Sequence, residues 1–242
     1  MIAQENLQQS LGSYSFKEAA LYIRATLKRK PVFPRLTTQH LHWWVREGLV
    51  DDETTQDAAA SGFVNFLELI SFRMIAMLRT YGISSKSIQL AHNRLQERWG
   101  WDYPFAMEPV WVASPDIFVE INKIPVAPTK DWQAALDMIR EFWEPVEVGF
   151  HGLNFDKHLQ AVSWVPSSGV ILNPKVQFGE PCIQDTRVPT ETIWAFYQAG
   201  DSVDTLAHMY GLPASKLQDA INWEEKIAKA AEDDRGSNFS AG

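Results

Sequence analysis

The residues best suited to chemistry lie in one stretch, NPKVQFGEPCIQDTRVPTETI, residues 173 to 193, where Cys182 sits near Glu180, Asp185, Arg187 and Glu191. A nucleophilic thiolate needs a base, a helix N-terminus or a cation to lower its pKa, and a group to orient that base. Arg187 is close in sequence, but no histidine lies between His158 and His208, and the neighbouring carboxylates would raise a thiol pKa. Cys182 therefore reads as a small apolar side chain. The pairs His40/His42 and His151/His158 lack the spacing on one helix face, with a carboxylate beside it, that a catalytic zinc site uses. No metal and no cofactor are expected. With no phosphate-cradling glycine loop and no triad, the chain reads as a binding protein and not an enzyme.

What it would bind is suggested by charge. The 242 residues carry a net charge of -8, yet residues 14–50 hold seven basic side chains (Lys17, Arg24, Lys28, Arg29, Lys30, Arg35, Arg46) against two acidic ones (Glu18, Glu47). The following DDETTQD is acidic, and residues 171–242 hold eleven acids against six bases. A basic head joined to an acidic tail implies two kinds of partner. One cysteine excludes an intramolecular disulfide, as a reducing cytoplasm would allow, and no apolar run approaches the roughly 18 residues needed to span a bilayer. The N-terminal MIAQENLQQSLGS lacks the basic region of a signal peptide. A cytoplasmic protein with a flexible leader over 1–13 and no membrane contact is expected.

The elements that must position these groups follow from caps and periodicity. Ser15 caps a short amphipathic helix carrying Phe16, Ala19, Ala20 and Ile23 on one face. Thr37 or Thr38 caps a second, QHLHWWVREGLV, which Gly48 ends. The run 63–80 predicts a well-buried helix, and Ser84 or Ser85 opens another reaching about Trp99. PVWVASPDIFVEI predicts two short strands, KDWQAALDMIREFW a helix capped by Thr129, and VEVGFHGLNFDKHLQAVSWVP a strand pair. In the tail Gly179 permits a turn, Pro181 fixes an extended piece, and Pro189 with Thr190 opens a helix. LAHMYGLPASKLQDAI then has helix-turn-helix spacing, with Ala207 at the crossing, Gly211 in the turn, and Leu217 and Ile221 facing the core.

A helix beginning with small polar residues beside basic ones suits major-groove docking, with Lys and Arg neutralising phosphates. HLHWWVREGLV, followed by LELISFRMIAMLRTYGISSKSI, resembles the MerR-type winged helix-turn-helix over residues 14 to 98. Arg46, Glu47, Gly48 and Leu49 match that family's string, Trp44 stands for its tyrosine and His42 for its arginine. The resemblance implies that Thr38, Gln39 and His40 face the groove, with Lys28, Arg29, Lys30, Arg35, His42 and Arg46 completing the contact. Compared with the family, the first turn is longer and more basic, the wing region is acidic, and no long dimerising helix follows.

The tail is similar to a bacterial domain-of-unknown-function family whose members are commonly described as VapB-type antitoxins. Gly179, Pro181, Ile183, Thr186, Arg187, Val188, Ile193, Gly200, Ser202, Tyr210 and Leu212 match its pattern, while Asp185 replaces the family's glycine before Thr-Arg. This resemblance implies a PIN-domain ribonuclease toxin of the VapC type as partner. Arg187 could compete with the toxin's metal ions among their carboxylates, or could instead pair with Asp185 or Glu191 within its own loop. Because aromatics favour interfaces, Trp194 and Trp223 are further candidate toxin contacts.

The expected fold is mainly α with a small α+β middle segment. A leader over 1–13 precedes a winged helix-turn-helix-like head over 14–105, an α+β connection over 106–167 and a trihelical, helix-turn-helix-like tail over 168–242. The expected function is that of a type II antitoxin, a homodimer that binds operator DNA, represses its own transcription and neutralises a PIN-domain toxin. The alternative is a stand-alone transcription regulator with no toxin.

Overall fold

The computed structural model describes residues 12–27, 35–50, 62–80, 82–108 and 152–236. The expected strands and helix between 109 and 143, together with Lys28, Arg29 and Lys30, lie outside the described residues. Mixed α/β architecture results, with seven α-helices and two small sheets among the described residues.

The head begins with β1 (Tyr14–Ser15), which pairs antiparallel with β2 (Phe63–Val64). Ser15 then caps α1 (Phe16–Thr26): its side chain accepts the Glu18 N–H while the Glu18 carboxylate accepts the Ser15 N–H at 2.7 Å. This reciprocal arrangement satisfies two otherwise orphaned donors, and such caps contribute about 1 kcal/mol each. Thr37 opens α2 (Thr38–Arg46) in the same manner. The head continues with α3 (Phe66–Thr80) and α4 (Ser85–Trp99), the latter capped by Ser84 and closed by left-handed Gly100. A 3-10 turn (Pro104–Ala106) follows.

Helix α3 is buried almost all round, and its one buried acid is accounted for by capping. The Glu68 carboxylate accepts the Asn65 N–H at 2.6 Å, while Asn65 Oδ1 accepts the Glu68 N–H at 2.9 Å. Arg73, also buried on this helix, lies 5.0 Å from the Trp164 ring centroid, and burial lowers its guanidinium pKa to about 10. A cation held over an indole face recovers part of the hydration lost on burial. It also joins the head to the sheet.

That sheet contains β3 (Leu153–Phe155), β4 (Ala161–Ser167), β5 (Val170–Leu172) and β6 (Pro181–Ile183), antiparallel and in sequence order. The expected strand pair over VEVGFHGLNFDKHLQAVSWVP corresponds to β3 and β4. Their close approach requires Gly152, with φ +81, since a Cβ there would lie 2.0 Å from the Val165 carbonyl oxygen. The sheet crosses the expected domain boundary at 167/168, because β4 pairs directly with β5. Trp164 and Leu172 accordingly share one core with Phe16, Trp44 and Phe72 of the head.

The tail adds α5 (Thr190–Gln198), α6 (Val203–Tyr210) and α7 (Ala214–Gly236). Ser202 caps α6, and Gly211, at φ +64, ends it and turns the chain into α7. Ile183, Ile193, Leu206, Leu217, Ala220 and Ile221 form a second core, including the expected Leu217 and Ile221. Helix α7 also reaches the head, where the Tyr22 and Trp223 rings lie 6.1 Å apart.

Candidate functional site

Two surfaces collect the residues singled out in the sequence. On the head, α2 buries Leu41, Trp44 and Val45 and leaves Gln39, His42 and Arg46 exposed, at i, i+3 and i+7 spacing. One stripe of the helix thus faces outward. The His42 ring stacks on Phe16 with centroids 4.0 Å apart, so its orientation is fixed while its edge stays in solvent. Thr38 and Arg35 are half-buried beside this stripe. At the far end, Gln89 Nε2 donates to the Glu47 carbonyl and ties α4 to the C-terminus of α2.

His40 has a structural task. Its Nδ1 accepts the Thr37 N–H at 3.2 Å and lies 2.8 Å from the Thr37 hydroxyl, whose oxygen in turn accepts the His40 N–H. Histidine thereby fills the capping-box position that glutamate usually occupies. Burial, reinforced by the Arg79 charge, lowers its pKa, in keeping with an Nδ1 that must accept.

The second surface is built on the turns around β6. Gln177 and Phe178 have φ +47 and +54, followed by Gly179 at +93. Two consecutive non-glycine residues in the left-handed region are uncommon. Here the head fixes them: Ser13 N–H donates to the Phe178 carbonyl at 3.0 Å, and the Tyr14 hydroxyl to that of Gly179 at 3.1 Å. Phe178 is left 75% exposed. Gln177 Nε2 donates to the Arg187 carbonyl at 3.1 Å, joining this turn to the next.

In that next turn the Thr186 hydroxyl donates to the Ile183 carbonyl at 2.8 Å and its oxygen accepts the Val188 N–H at 3.1 Å. Asp185 adopts φ +65, a conformation that favours glycine and that aspartate tolerates better than most residues. Lys216 holds it from α7, donating to Asp185 Oδ2 at 3.2 Å and to the Gln184 carbonyl at 2.9 Å. The backbone at Asp185 thus has the conformation that a glycine before Thr-Arg would adopt, although the side chain differs.

Residues 170–223 match the family described as Protein of unknown function (DUF433). The DUF433 segment therefore runs from β5 into α7 and includes both turns. No curated protein matches the chain. Among solved structures, the X-ray crystal structure of Rv2018 from Mycobacterium tuberculosis superposes with a TM-score of 0.63 at 14% identity. The match covers 86% of this chain and 96% of that one. At this identity the likeness concerns the fold, and it includes head, sheet and tail together.

Within the DUF433 segment, Arg187 is exposed and has no carboxylate partner among the described residues, because Asp185 is engaged by Lys216. Trp194 is half-buried and stacks on Tyr197, with ring centroids 6.0 Å apart. Trp223, expected as a partner contact, is instead fully buried, so its ring offers no surface. Its indole ring fills the space between α7 and α1, which an isolated tail would have left open. Cys182 is likewise buried, and burial with the Glu180 charge pushes its thiol up to about 11, against the pull of Arg187. It is poorly suited to nucleophilic attack.

Four residues went unmarked in the sequence. Phe178 looked like ordinary turn filler, and Tyr14 like the residue before a cap. Phe196 and Tyr197 fell on the predicted helix without any sign that they would be exposed. Among the described residues no group of three or more His, Cys, Asp or Glu side chains could hold a metal ion, and no helix is long and apolar enough to cross a membrane.

Proposed function

We propose that the chain is a DNA-binding antitoxin that represses its own transcription and neutralises a PIN-domain ribonuclease, acting by binding alone. The observation that carries the DNA part is the outward stripe Gln39, His42 and Arg46 on a capped helix preceded by the basic segment 28–35. Side chains of this kind read base edges and neutralise phosphates when a helix lies in the major groove. His40 contributes by fixing the start of that helix, and Thr38 and Arg35 flank it. In this reading two copies engage two half-sites of an operator, as short major-groove readers commonly do.

The toxin part is supported by the exposed Arg187 with no carboxylate of its own, beside the aromatic α5 carrying Trp194. A guanidinium offered to the metal-binding carboxylates of a nuclease would displace the cation on which cleavage depends.

An electrophoretic shift with the chain's own upstream DNA tests the first part. The wild type is expected to bind with an affinity that falls steeply as salt rises, and Arg29→Ala, Lys30→Ala and Arg46→Ala together to abolish the shift. Unchanged binding by the triple variant would overturn the assignment. Co-purification with a PIN-domain protein encoded next to this chain tests the second. Loss of neutralisation in Arg187→Ala would support the arginine's role, and full neutralisation would end it.

A further inference from the structure

The turn at Phe178 and the outer face of α5 have the makings of a matched pair. Phe178 projects from a left-handed turn with 75% of its surface in solvent, and Lys175 and Arg187 are exposed nearby. This turn is pre-formed, since Ser13 and Tyr14 hold both its carbonyls from the head. Helix α5 buries Thr190 and Ile193 and turns aromatics outward: Phe196 is 38% and Tyr197 37% exposed, the latter braced by its stacking on Trp194. Exposed aromatic side chains so braced are characteristic of interfaces.

Charge distinguishes the two patches. Residues 188–215 contain Glu191, Asp201 and Asp204 and no lysine or arginine. This stretch is therefore acidic in sequence as well as aromatic on its outer face. At its start, Glu191 is exposed and forms no ion pair among the described residues. Each copy thus carries an exposed carboxylate and an exposed guanidinium that are not paired with each other. The Gln177 side chain donates to the Arg187 carbonyl at 3.1 Å and the Thr190 hydroxyl to the Pro181 carbonyl at 3.2 Å, which makes the turn and the start of α5 neighbours on the molecule.

We propose that a second copy of this chain covers both patches, the Phe178 turn of each copy docking on the α5 aromatic face of the other, with Arg187 supplying the missing cation to the partner's Glu191. Two complementary patches side by side on one chain suit an isologous contact, in which a two-fold axis between them pairs each with the other twice. This contact deepens the homodimer of the reading above, and it needs neither DNA nor toxin. A toxin that engages Arg187 would have to displace the second copy, so the two partners compete for one edge.

Sedimentation velocity on the full-length chain, without DNA or toxin, over about a hundredfold range of concentration, tests it. A monomer–dimer equilibrium weakened by salt is expected. Phe178→Asp and Tyr197→Asp should each raise the dimer dissociation constant by about tenfold or more. Mixing these two variants should restore association in part, because each mixed dimer keeps one intact contact. Arg187→Glu, at an exposed position where folding is not at risk, should weaken the dimer, and Glu191→Arg added to it should recover the loss. A chain that stays monomeric throughout, a dimer indifferent to Phe178→Asp and Arg187→Glu, or no recovery on mixing would each overturn the proposal. These outcomes are distinguishable from failure of the DNA reading, which the operator shift tests, since two copies can meet on two half-sites of DNA without associating in solution.

Discussion

The Tyr14 hydroxyl donates to the Gly179 carbonyl at 3.1 Å, a contact between residues 165 positions apart that fastens the first strand of the head to the turn before β6. Gly179 cannot be replaced without displacing its partner, because a Cβ there would lie 2.2 Å from Tyr14 Oη and the backbone has φ +93. Tyr14→Phe should cost about 1–2 kcal/mol, the loss of a hydrogen bond from a buried carbonyl. Gly179→Ala should cost more, and less of its cost should remain in the Tyr14→Phe background. Urea unfolding of the two single variants and the double variant checks this, and strict additivity would contradict the contact.

A pH effect is expected at His40. Its folded pKa lies below the ordinary 6.5, chiefly through burial and then the Arg79 charge. The neutral ring is therefore favoured by folding, and its contribution is present above pH 6.5 and lost as pH falls below it. His40→Glu would put the usual capping-box residue at the same position and should remove this decline. Thermal unfolding of both proteins between pH 5 and pH 8 is the measurement, on a window of about three units around the ordinary histidine pKa.

Glu224 should act with the opposite sign. Burial and the Glu191 charge raise its pKa, although a hydrogen bond from Thr190 opposes the shift. The Thr190 hydroxyl has one proton and two oxygen neighbours, the Pro181 carbonyl at 3.2 Å and Glu224 Oε1 at 2.5 Å. Both contacts become hydrogen bonds when Glu224 carries a proton of its own. Its stabilising contribution is thus complete below the ordinary 4.5 and declines as pH rises through the folded value. Glu224→Gln should flatten that decline and leave the chain more stable at neutral pH, as measured by unfolding between about pH 4 and about pH 7.

At Asp185 the backbone is expected to matter more than the charge. Its ion pair with Lys216 is largely exposed, the side chains being 31% accessible for lysine and 77% for aspartate, so Lys216→Ala should shift stability by no more than about 1 kcal/mol. Asp185→Gly should be neutral or slightly stabilising, whereas a β-branched Asp185→Val, forced into the left-handed region, should cost about 1–3 kcal/mol. Chemical denaturation of the three variants ranks them. A valine variant as stable as the glycine variant would contradict the assigned turn.

Local grammar was the legible part of this sequence. Ser15, Thr37 and Ser84 cap their helices as expected because N-cap preference depends on the residues just downstream. Asp185 drew attention as a departure from a glycine pattern, and its left-handed φ explains that pattern. What could not be read were contacts made across the chain. Trp223 looked like an interface residue because nothing in its own helix indicated that α1 would cover it. The expected boundary at 167/168 set apart the tail that carries the family pattern, whereas backbone hydrogen bonds carry the sheet straight through it. The resemblance implies an outward-facing His40, but the side chain turns back to its own N-cap. In the candidate site, Gln39, His42 and Arg46 were marked only through the resemblance to a helix-turn-helix, while the exposure of Phe178 depends on a turn held by residues at the other end of the chain.

The long sequence separation between Tyr14 and Gly179 also sets a timetable for synthesis. A ribosome adding about 5–20 residues per second needs roughly ten to thirty seconds to make the 165 positions between them. Throughout that interval the emerged head lacks the sheet that completes its core and the helix that covers Tyr22. A prematurely terminated chain would display the head without its fastening. Such a fragment would leave open to water the side of the head core that Trp164 and Leu172 complete in the whole chain.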